Sequence, residues 1–386
     1  MRIAMFSWET LHSSAVGGVA THVTELAAAL ARRGHQVHVF TRPGRGLGSV
    51  QHVGDVWYHY CPHDLDRNLI DEIQAMCRSL VWHFFEAEKH LGRFEIVHSH
   101  DWLTADAVRW IKQGRPDLRA VLTMHSTEYG RCGNQFWDGA SSRIRECEWQ
   151  GTYAVDRVIA VSSMLKEELS WIYSLPDWKC DVIHNGVPVH EFDGSIDPGG
   201  LKWSYAIGPL DPTVLFCGRL CLQKGPDLLL EAVPGLLRHH ENAKFLFLGD
   251  GHMLGDLQLR AQHLGVSHAT RFLGHVQREQ RIDLFKACDV VCMPSRNEPF
   301  GIVALEGWAA GKPVVASQVG GPNEYVWHGV TGLKIQPTVD SVGWGIGTLF
   351  SDFEWARWMG ANGRHAAETV FTWDIAAERT EHSYQA

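Results

Sequence analysis

A chain of 386 residues is too long for one ordinary hydrophobic core and suits two domains. Its apolar fraction of 45% and charged fraction of 20% describe a soluble globular protein, and a net charge of −9 leaves no basic footprint for nucleic acid. The opening MRIAMFSWET has no long apolar core of a signal peptide and no apolar run reaches membrane-spanning length, so a cytoplasmic setting without membrane association is expected. The nine cysteines are odd in number and scattered. Cys217/Cys221 and Cys288/Cys292 are the close pairs, and neither has a second pair at zinc-ligand spacing, so buried, reduced thiols are expected. The histidine clusters HVH, HYCPH and HSH do not fall at helical i, i+4 spacing with an acidic partner, and no metal site is expected from them.

The first half alternates short apolar strands with amphipathic helices. Strands are predicted at 3–6, 37–40, 96–99, 121–123, 158–161 and 181–183, and helices at 21–33 (closed by Gly34), 68–90, 105–111, 143–154 and 163–173. After the first strand, SWETLHSSAVGGVATHVTEL places Gly17 and Gly18 immediately before a helix. Glycines there let backbone approach a ligand at the positive end of the helix dipole, although an ordinary strand–helix turn reads the same way. A dinucleotide site requires G-x-G-x-x-G tightly after that strand. Here the loop is long and the pattern absent, and GRGLG at 44–48 lacks the right spacing, which disfavours NAD. Asp64 and Asp66 form a D-x-D in an irregular segment and read as a turn feature. The next strands end in IVHSHDWLTA and VLTMHSTEYGRCGN, placing His100, Asp101 and His125 at carboxyl ends. Histidines there face a ligand cleft, with a hydrogen-bonded structural role still open for His98 and His100 and less so for His125.

Segment 191–211 is rich in Gly, Pro and Asp without sustained period, a linker signature. Strands restart at 214–217, 245–248, 270–273, 290–293 and 313–316. The expected fold class is α/β: two doubly wound, Rossmann-like domains, 1–190 and 212–370, facing each other across a cleft, with ligands outside the carboxyl ends of the strands. In LFCGRLCLQKGPDLLLEA, Arg219 and Lys224 follow a strand end and precede a helix. Two cations there suit a pyrophosphate, Arg gripping two oxygens in a fork and Lys acting as a mobile point charge; solvated loop cations are the alternative. FLGDGH puts Gly249 at the next strand end, and RFLGHV carries Val276 on a loop suited to a base edge. SRNEPFGIVALEGWAAG turns from loop to helix at 299–301, with Glu298 outside the first turn and Glu306 two turns in. The amides of Phe300, Gly301 and Ile302 and the positive dipole end favour an anion. Taken alone, Glu298 reads equally as a dipole complement and Glu306 as a solvated face residue.

In this order and over nearly the whole chain, these segments resemble the retaining GT-B glycosyltransferases of family 4, especially the branch related to glycogen, starch and sucrose synthases. The most specific element is E-x7-E, formed by Glu298 and Glu306; GGVATHVTELAAALARRGHQVHVFTR, HSHDW, TMH, VIHNGV, CGRLCLQKGPDLLLEA, FLGDG and VVASQVGGPNEYV accompany it. The resemblance implies that Gly17 and Gly18 lie against donor phosphate or sugar, that His125 contacts the transferred sugar, and that Arg219 and Lys224 hold the diphosphate as leaving group. It implies further that Glu298 hydrogen-bonds sugar hydroxyls, that the amides around Phe300, Gly301 and Ile302 take phosphate or sugar oxygens, and that Glu306 binds the ribose. His100 and Asp101 fall on the acceptor side, and Gly249 and Val276 on the loops that decide the base. FTWDIAAERTEHSYQA looks like the family's terminal helix, 371–386, which packs back on the first domain.

The implied activity is retaining transfer of a hexose, glucose foremost, from a UDP- or ADP-sugar to a carbohydrate acceptor, with no metal or other cofactor required. Alternatives are a lipid-linked or cell-envelope acceptor, a sugar-nucleotide epimerase or hydrolase on the same scaffold, and a regulatory nucleotide-sugar-binding protein. The helix NLIDEIQAMCRSLVWHFFEAEKHLGRF carries near-balanced charge rather than a basic face, which favours a soluble acceptor. Base, sugar and oligomeric state are left open by the sequence.

Overall fold

Ile3, Ala4, Met5 and Phe6 are all fully buried, as in a parallel strand covered by helices on both faces. In the computed structural model, which describes residues 1–15, 17–44 and 48–386, they lie in the first strand of an eight-stranded sheet. The strands are β1 (Arg2–Ser7), β2 (Gln36–Thr41), β3 (Val50–Val53), β4 (Val56–Tyr60), β5 (Ile96–His100), β6 (Arg119–Met124), β7 (Arg157–Ala160) and β8 (Cys180–Val182). Their order is β3-β4-β2-β1-β5-β6-β7-β8, parallel except for the β3–β4 hairpin. This sheet belongs to a unit made of Met1–Gly186 and Trp373–Ala386. Its core joins Ile3 and Met5 to Val23, Leu26 and Leu30 of helix Gly18–Arg32 and to Trp373, Ala377 and Tyr384 of the terminal helix Trp373–Gln385. That helix is tied down by a two-pronged Arg33–Glu381 pair (2.7 Å for each contact) and by Tyr384, whose hydroxyl meets His98 Nδ1 at 2.8 Å.

The second unit is Val187–Thr372. Its six parallel strands are β9 (Thr213–Cys217), β10 (Lys244–Leu248), β11 (Thr270–Gly274), β12 (Val290–Met293), β13 (Val314–Ser317) and β14 (Gly332–Ile335), in the order β11-β10-β9-β12-β13-β14. Each sheet reverses winding direction once. The switch lies between β1 and β5 in the first unit and between β9 and β12 in the second, and a crevice opens beyond the carboxyl ends of such a strand pair.

Four elements differ from the sequence expectation. Segment 191–211 is not a linker but part of the second unit. Asp197 caps the short helix Pro198–Ser204 by accepting the Gly200 amide at 3.0 Å, and Lys202 ties that helix to Asp289 at 2.9 Å. Seven residues are too few to show a helical period. β3 was absent from the expected strands because VQHV is exposed at the sheet edge and has no apolar face, and β4, VWYHY, mostly buried between β2 and β3, was absent with it. β14 escaped because GLKI is only four residues long and opens on glycine. Of GRGLG, residues 45–47 lie outside the described residues.

Leu229, fully buried on helix Pro226–Leu237, belongs to the second unit's core cluster. Leu229→Ala is expected to lower that unit's unfolding free energy by about 3 kcal/mol, measured by urea denaturation.

Candidate functional site

At the second unit's switch point, β9 runs into a tight loop that carries Arg219 and ends in the 3-10 turn Leu222–Lys224. The Arg219 guanidinium donates to Gln223 Oε1 at 3.2 Å. Lys224 Nζ donates to both carboxylate oxygens of Glu298, at 2.8 Å each, and Ser295 Oγ donates to Glu298 Oε2 at 2.9 Å. Glu298 is 4% exposed. Two residues assigned separately to phosphate and sugar thus form one ion pair, on loops that follow β9 and β12. The backbone fixes Glu298 as well: the Gly321 amide donates to its carbonyl at 2.8 Å.

Beyond Glu298 the chain turns into helix Ile302–Ala309 through Phe300 and Gly301. Gly301 has φ of 88°, and a Cβ there would stand 2.9 Å from the Met293 side chain, so only glycine makes this entry without strain. Tyr325 Oη donates to the Phe300 and Gly301 carbonyls at 2.7 and 2.9 Å, fixing the first turn. Glu306 is buried among apolar neighbours on that helix. One of its oxygens pairs with Arg281, while Oε2 has no hydrogen-bond partner among the described residues. Gly249 packs against the strand end that precedes Arg219; a Cβ on it would lie 2.0 Å from the Gly218 carbonyl oxygen. Val276 sits half-buried between β11 and helix Arg278–Ala287. Arg281, on that helix, was not foreseen; its signal is Glu306 itself, a carboxylate in an otherwise apolar helix that must find a cation.

In the first unit, Gly17 and Gly18 do open the helix after β1, but the Gly17 amide already donates to Glu9 Oε2 at 2.9 Å. Glu9, 5% exposed, therefore meets the positive helix end that the sequence reading left for a ligand. His98 is structural: its ring bridges Tyr384 Oη (2.8 Å) and Thr123 Oγ1 (2.7 Å) in the core. Asp101 has φ of 55° and accepts the His125 amide at 2.7 Å, so it positions His125. His100 Nδ1 and His125 Nε2 are 3.3 Å apart, and the His22 and His125 rings stand 4.4 Å apart edge to face. His22 Nδ1 meets Asn185 Oδ1 at 2.7 Å. His22 and Asn185 were not singled out, because 163 residues separate them in the chain.

Burial governs the ionisation of this cluster. It depresses the pKa of His125 to about 3, and with help from neighbouring imidazoles it lowers His22, His98 and His100 well below the ordinary value. The Asp101 carboxyl is pushed up to about 6 by burial, against the opposing pull of Arg131 and the His125 and Ser126 amides.

The domain described as Glycosyltransferase Family 4 matches residues 16–191, and that described as Glycosyl transferases group 1 matches residues 201–366. An uncharacterized glycosyltransferase of Methanocaldococcus jannaschii is 36% identical, across 100% of this chain and 98% of its own length. A glycogen synthase of Mycobacterium tuberculosis is 29% identical across 100% of this chain and 95% of that enzyme. The catalytic domain of starch synthase IV from Arabidopsis thaliana, bound to ADP and acarbose, shares the fold with a TM-score of 0.81 at 17% identity, covering 100% of this chain and 98% of that one. The chain therefore belongs to the GT-B glycosyltransferases. Within them it is a family 4 and group 1 member related to glycogen synthase.

Two stability predictions follow from this geometry. Lys224→Met leaves the buried Glu298 carboxylate with Ser295 as its side-chain donor among the described residues. The substitution is expected to cost about 2–4 kcal/mol in urea unfolding, with part recovered by adding Glu298→Gln. For acid, a histidine with depressed folded pKa contributes stability that is present above its unfolded value near 6.5 and lost as pH falls through that value toward the folded one. Asp101, with a raised folded pKa, acts oppositely: its contribution is present at low pH and lost as pH rises toward 6. Four histidines outweigh one aspartate, so the first unit should lose stability from about pH 6.5 downward, and His125→Gln should flatten that slope.

Proposed function

We propose that the chain is a retaining hexosyltransferase that moves glucose from UDP- or ADP-glucose to a carbohydrate acceptor. The observation that carries this reading is the convergence of Arg219, Lys224 and buried Glu298 at one switch point, with Glu306 presenting an unpaired carboxylate oxygen one helix further on. A nucleoside diphosphate sugar is a ligand with use for all four groups. Its diphosphate carries the charge that Arg219 and Lys224 neutralise, and its two polyol ends carry the hydroxyls that carboxylates accept.

On this reading the Lys224–Glu298 pair is the resting form of two ligands. As a diphosphate binds, Lys224 exchanges carboxylate for phosphate oxygens, and Glu298 is released to accept sugar hydroxyls. Glu306 Oε2 takes a ribose hydroxyl while its other oxygen stays with Arg281. The amides about Phe300, Gly301 and Ile302 receive phosphate or sugar oxygens at the helix N-terminus. His125, neutral and held through its backbone by Asp101, contacts the transferred sugar, with His100 near the acceptor. Gly17 and Gly18 retain a donor-side role through close backbone approach, with Glu9 sharing the helix end, and Gly249 and Val276 shape the base site.

When the sugar–oxygen bond breaks, charge gathers on the diphosphate, where Arg219 and Lys224 are already placed. Preorganised donors of this kind contribute on the order of 10²–10³ in rate each. The acceptor hydroxyl attacks the same face, and the departing phosphate takes its proton, which retains the anomeric configuration. Positive charge comes from side chains, so no divalent metal is required. The proposed setting is cytoplasmic; among the described residues no helix is long and apolar enough to cross a membrane. The relationship to a glycogen synthase supports a glucan acceptor. A lipid-linked acceptor is the second reading, supported by Trp82 and Phe85, exposed 60% and 37% on adjacent turns of helix Leu69–Leu91.

The test incubates the protein with UDP-, ADP- and GDP-sugars and with glucan, disaccharide and lipid acceptors. An α-linked product from an α-linked UDP- or ADP-glucose is expected by NMR, at a rate that chelators leave unchanged. Arg219→Ala and Glu298→Ala should each lower kcat by about 10²–10³. A β-linked product would falsify retention, rapid donor turnover without acceptor would instead indicate hydrolase or epimerase chemistry, and a fully active Glu298→Ala would refute the site.

A further inference from the structure

The first unit gathers more imidazole than contact with one sugar requires. His22 comes from helix Gly18–Arg32, His100 from the end of β5 and His125 from the residue after β6. Each offers a ring nitrogen within 4.8 Å of one on each of the other two. His100 Nδ1 and His125 Nε2 already stand 3.3 Å apart. That is close to the edge, roughly 3.4 Å, of a tetrahedron built on zinc–nitrogen bonds of about 2.1 Å. Closing the remaining distances takes side-chain rotation on the order of an ångström, within reach of rings that end their strands.

His22 supplies the second, independent observation. Its Nδ1 faces the Asn185 amide oxygen at 2.7 Å. An amide oxygen accepts, so the ring proton lies on Nδ1 and the lone pair on Nε2. That Nε2 is buried and has no hydrogen-bond partner among the described residues, on a residue 5% exposed. An oriented imidazole with a fixed tautomer and a bare inward nitrogen is the form in which histidine binds metal. Three imidazoles without a carboxylate favour zinc, cobalt, nickel or copper over magnesium and calcium, which take oxygen ligands. His125, the least buried of the three, leaves a side open for water as a fourth ligand.

We propose that His22, His100 and His125 bind one zinc-type divalent ion, and that this ion switches sugar transfer off. Transfer itself needs no metal; an ion on His125 removes that ring from the sugar. The inhibitory half rests on the role proposed for His125, whereas the binding half does not.

The experiment titrates metal-free wild-type protein with Co²⁺, read by visible d–d absorption, and then adds Zn²⁺. The expected result is one tetrahedral Co²⁺ per chain, displaced by Zn²⁺. Transfer falls roughly tenfold or more with Zn²⁺ bound and recovers with chelator. His22→Ala should lose the Co²⁺ signal. His125→Cys should keep it and add a thiolate-to-cobalt charge-transfer band, which a misfolded variant does not produce. Failure of the wild type to bind Co²⁺ stoichiometrically, or full retention by His22→Ala, overturns the site. Bound metal with undiminished transfer overturns the switch. A chain that binds Co²⁺ yet transfers no sugar in metal-free buffer contradicts the proposed function alone, so the two failures are distinct.

Discussion

A parallel sheet covered by helices on both faces is mostly apolar along its strands, and a polar group within them, such as His98 between Tyr384 and Thr123, must be paired in the core. Phe245, Phe247, Val290 and Cys292 in the second unit, like Ile3 to Phe6 in the first, are buried at or near zero exposure. Polar groups free to meet a ligand gather at the strand ends and the loops beyond them, and the winding reversal decides which loops diverge enough to admit a ligand. Arg219 and Glu298 follow the two strands at the second unit's reversal, and His100 is the last residue of one at the first unit's. The placement of these side chains is thus a consequence of the same constraint that makes the strands apolar.

Within the second unit, burial makes the Lys224–Glu298 pair consequential. A carboxylate at 4% exposure needs its cation and its Ser295 donor, and removing either leaves desolvated charge. The pair is also exchangeable, since Lys224 keeps a partly exposed side chain and can follow an incoming anion. Tyr325, clamping two consecutive carbonyls, and Gly301, with its positive φ, fix the adjoining helix entry. A mobile cation beside a fixed backbone suits the diphosphate exchange proposed above for this site.

The first unit solves a different problem. Its histidines are crowded and buried, so they are held neutral and keep acceptor nitrogens that a solvated imidazole would protonate in mild acid. Trp373 lies against His22 at 5.4 Å between ring centres, and Tyr384 meets His98, so the terminal helix seals the cluster from beneath. Contacts between residues as far apart in the chain as His98 and Tyr384, 286 positions, therefore set the surroundings of HSHDW and TMH.

Much of this was legible in the chain. Short apolar runs and amphipathic, period-3.6 patterns located most strands and helices, and the strand–helix alternation required parallel sheets. Strand ends then pointed to Arg219, Lys224, His100 and His125, and the E-x7-E of the family resemblance to Glu298 and Glu306. Local pattern failed where a segment was short or exposed, as in β3 and helix Pro198–Ser204, because a few residues carry no period. Which charges meet was not legible. Lys224 with Glu298, Glu306 with Arg281, Glu9 with the Gly17 amide and His22 with Asn185 are pairings across space. Residue types and their spacing along one strand or helix are determined by sequence, because local backbone geometry repeats. Partners brought in from other elements are decided only by the tertiary packing, because burial is what compels each polar group to find one.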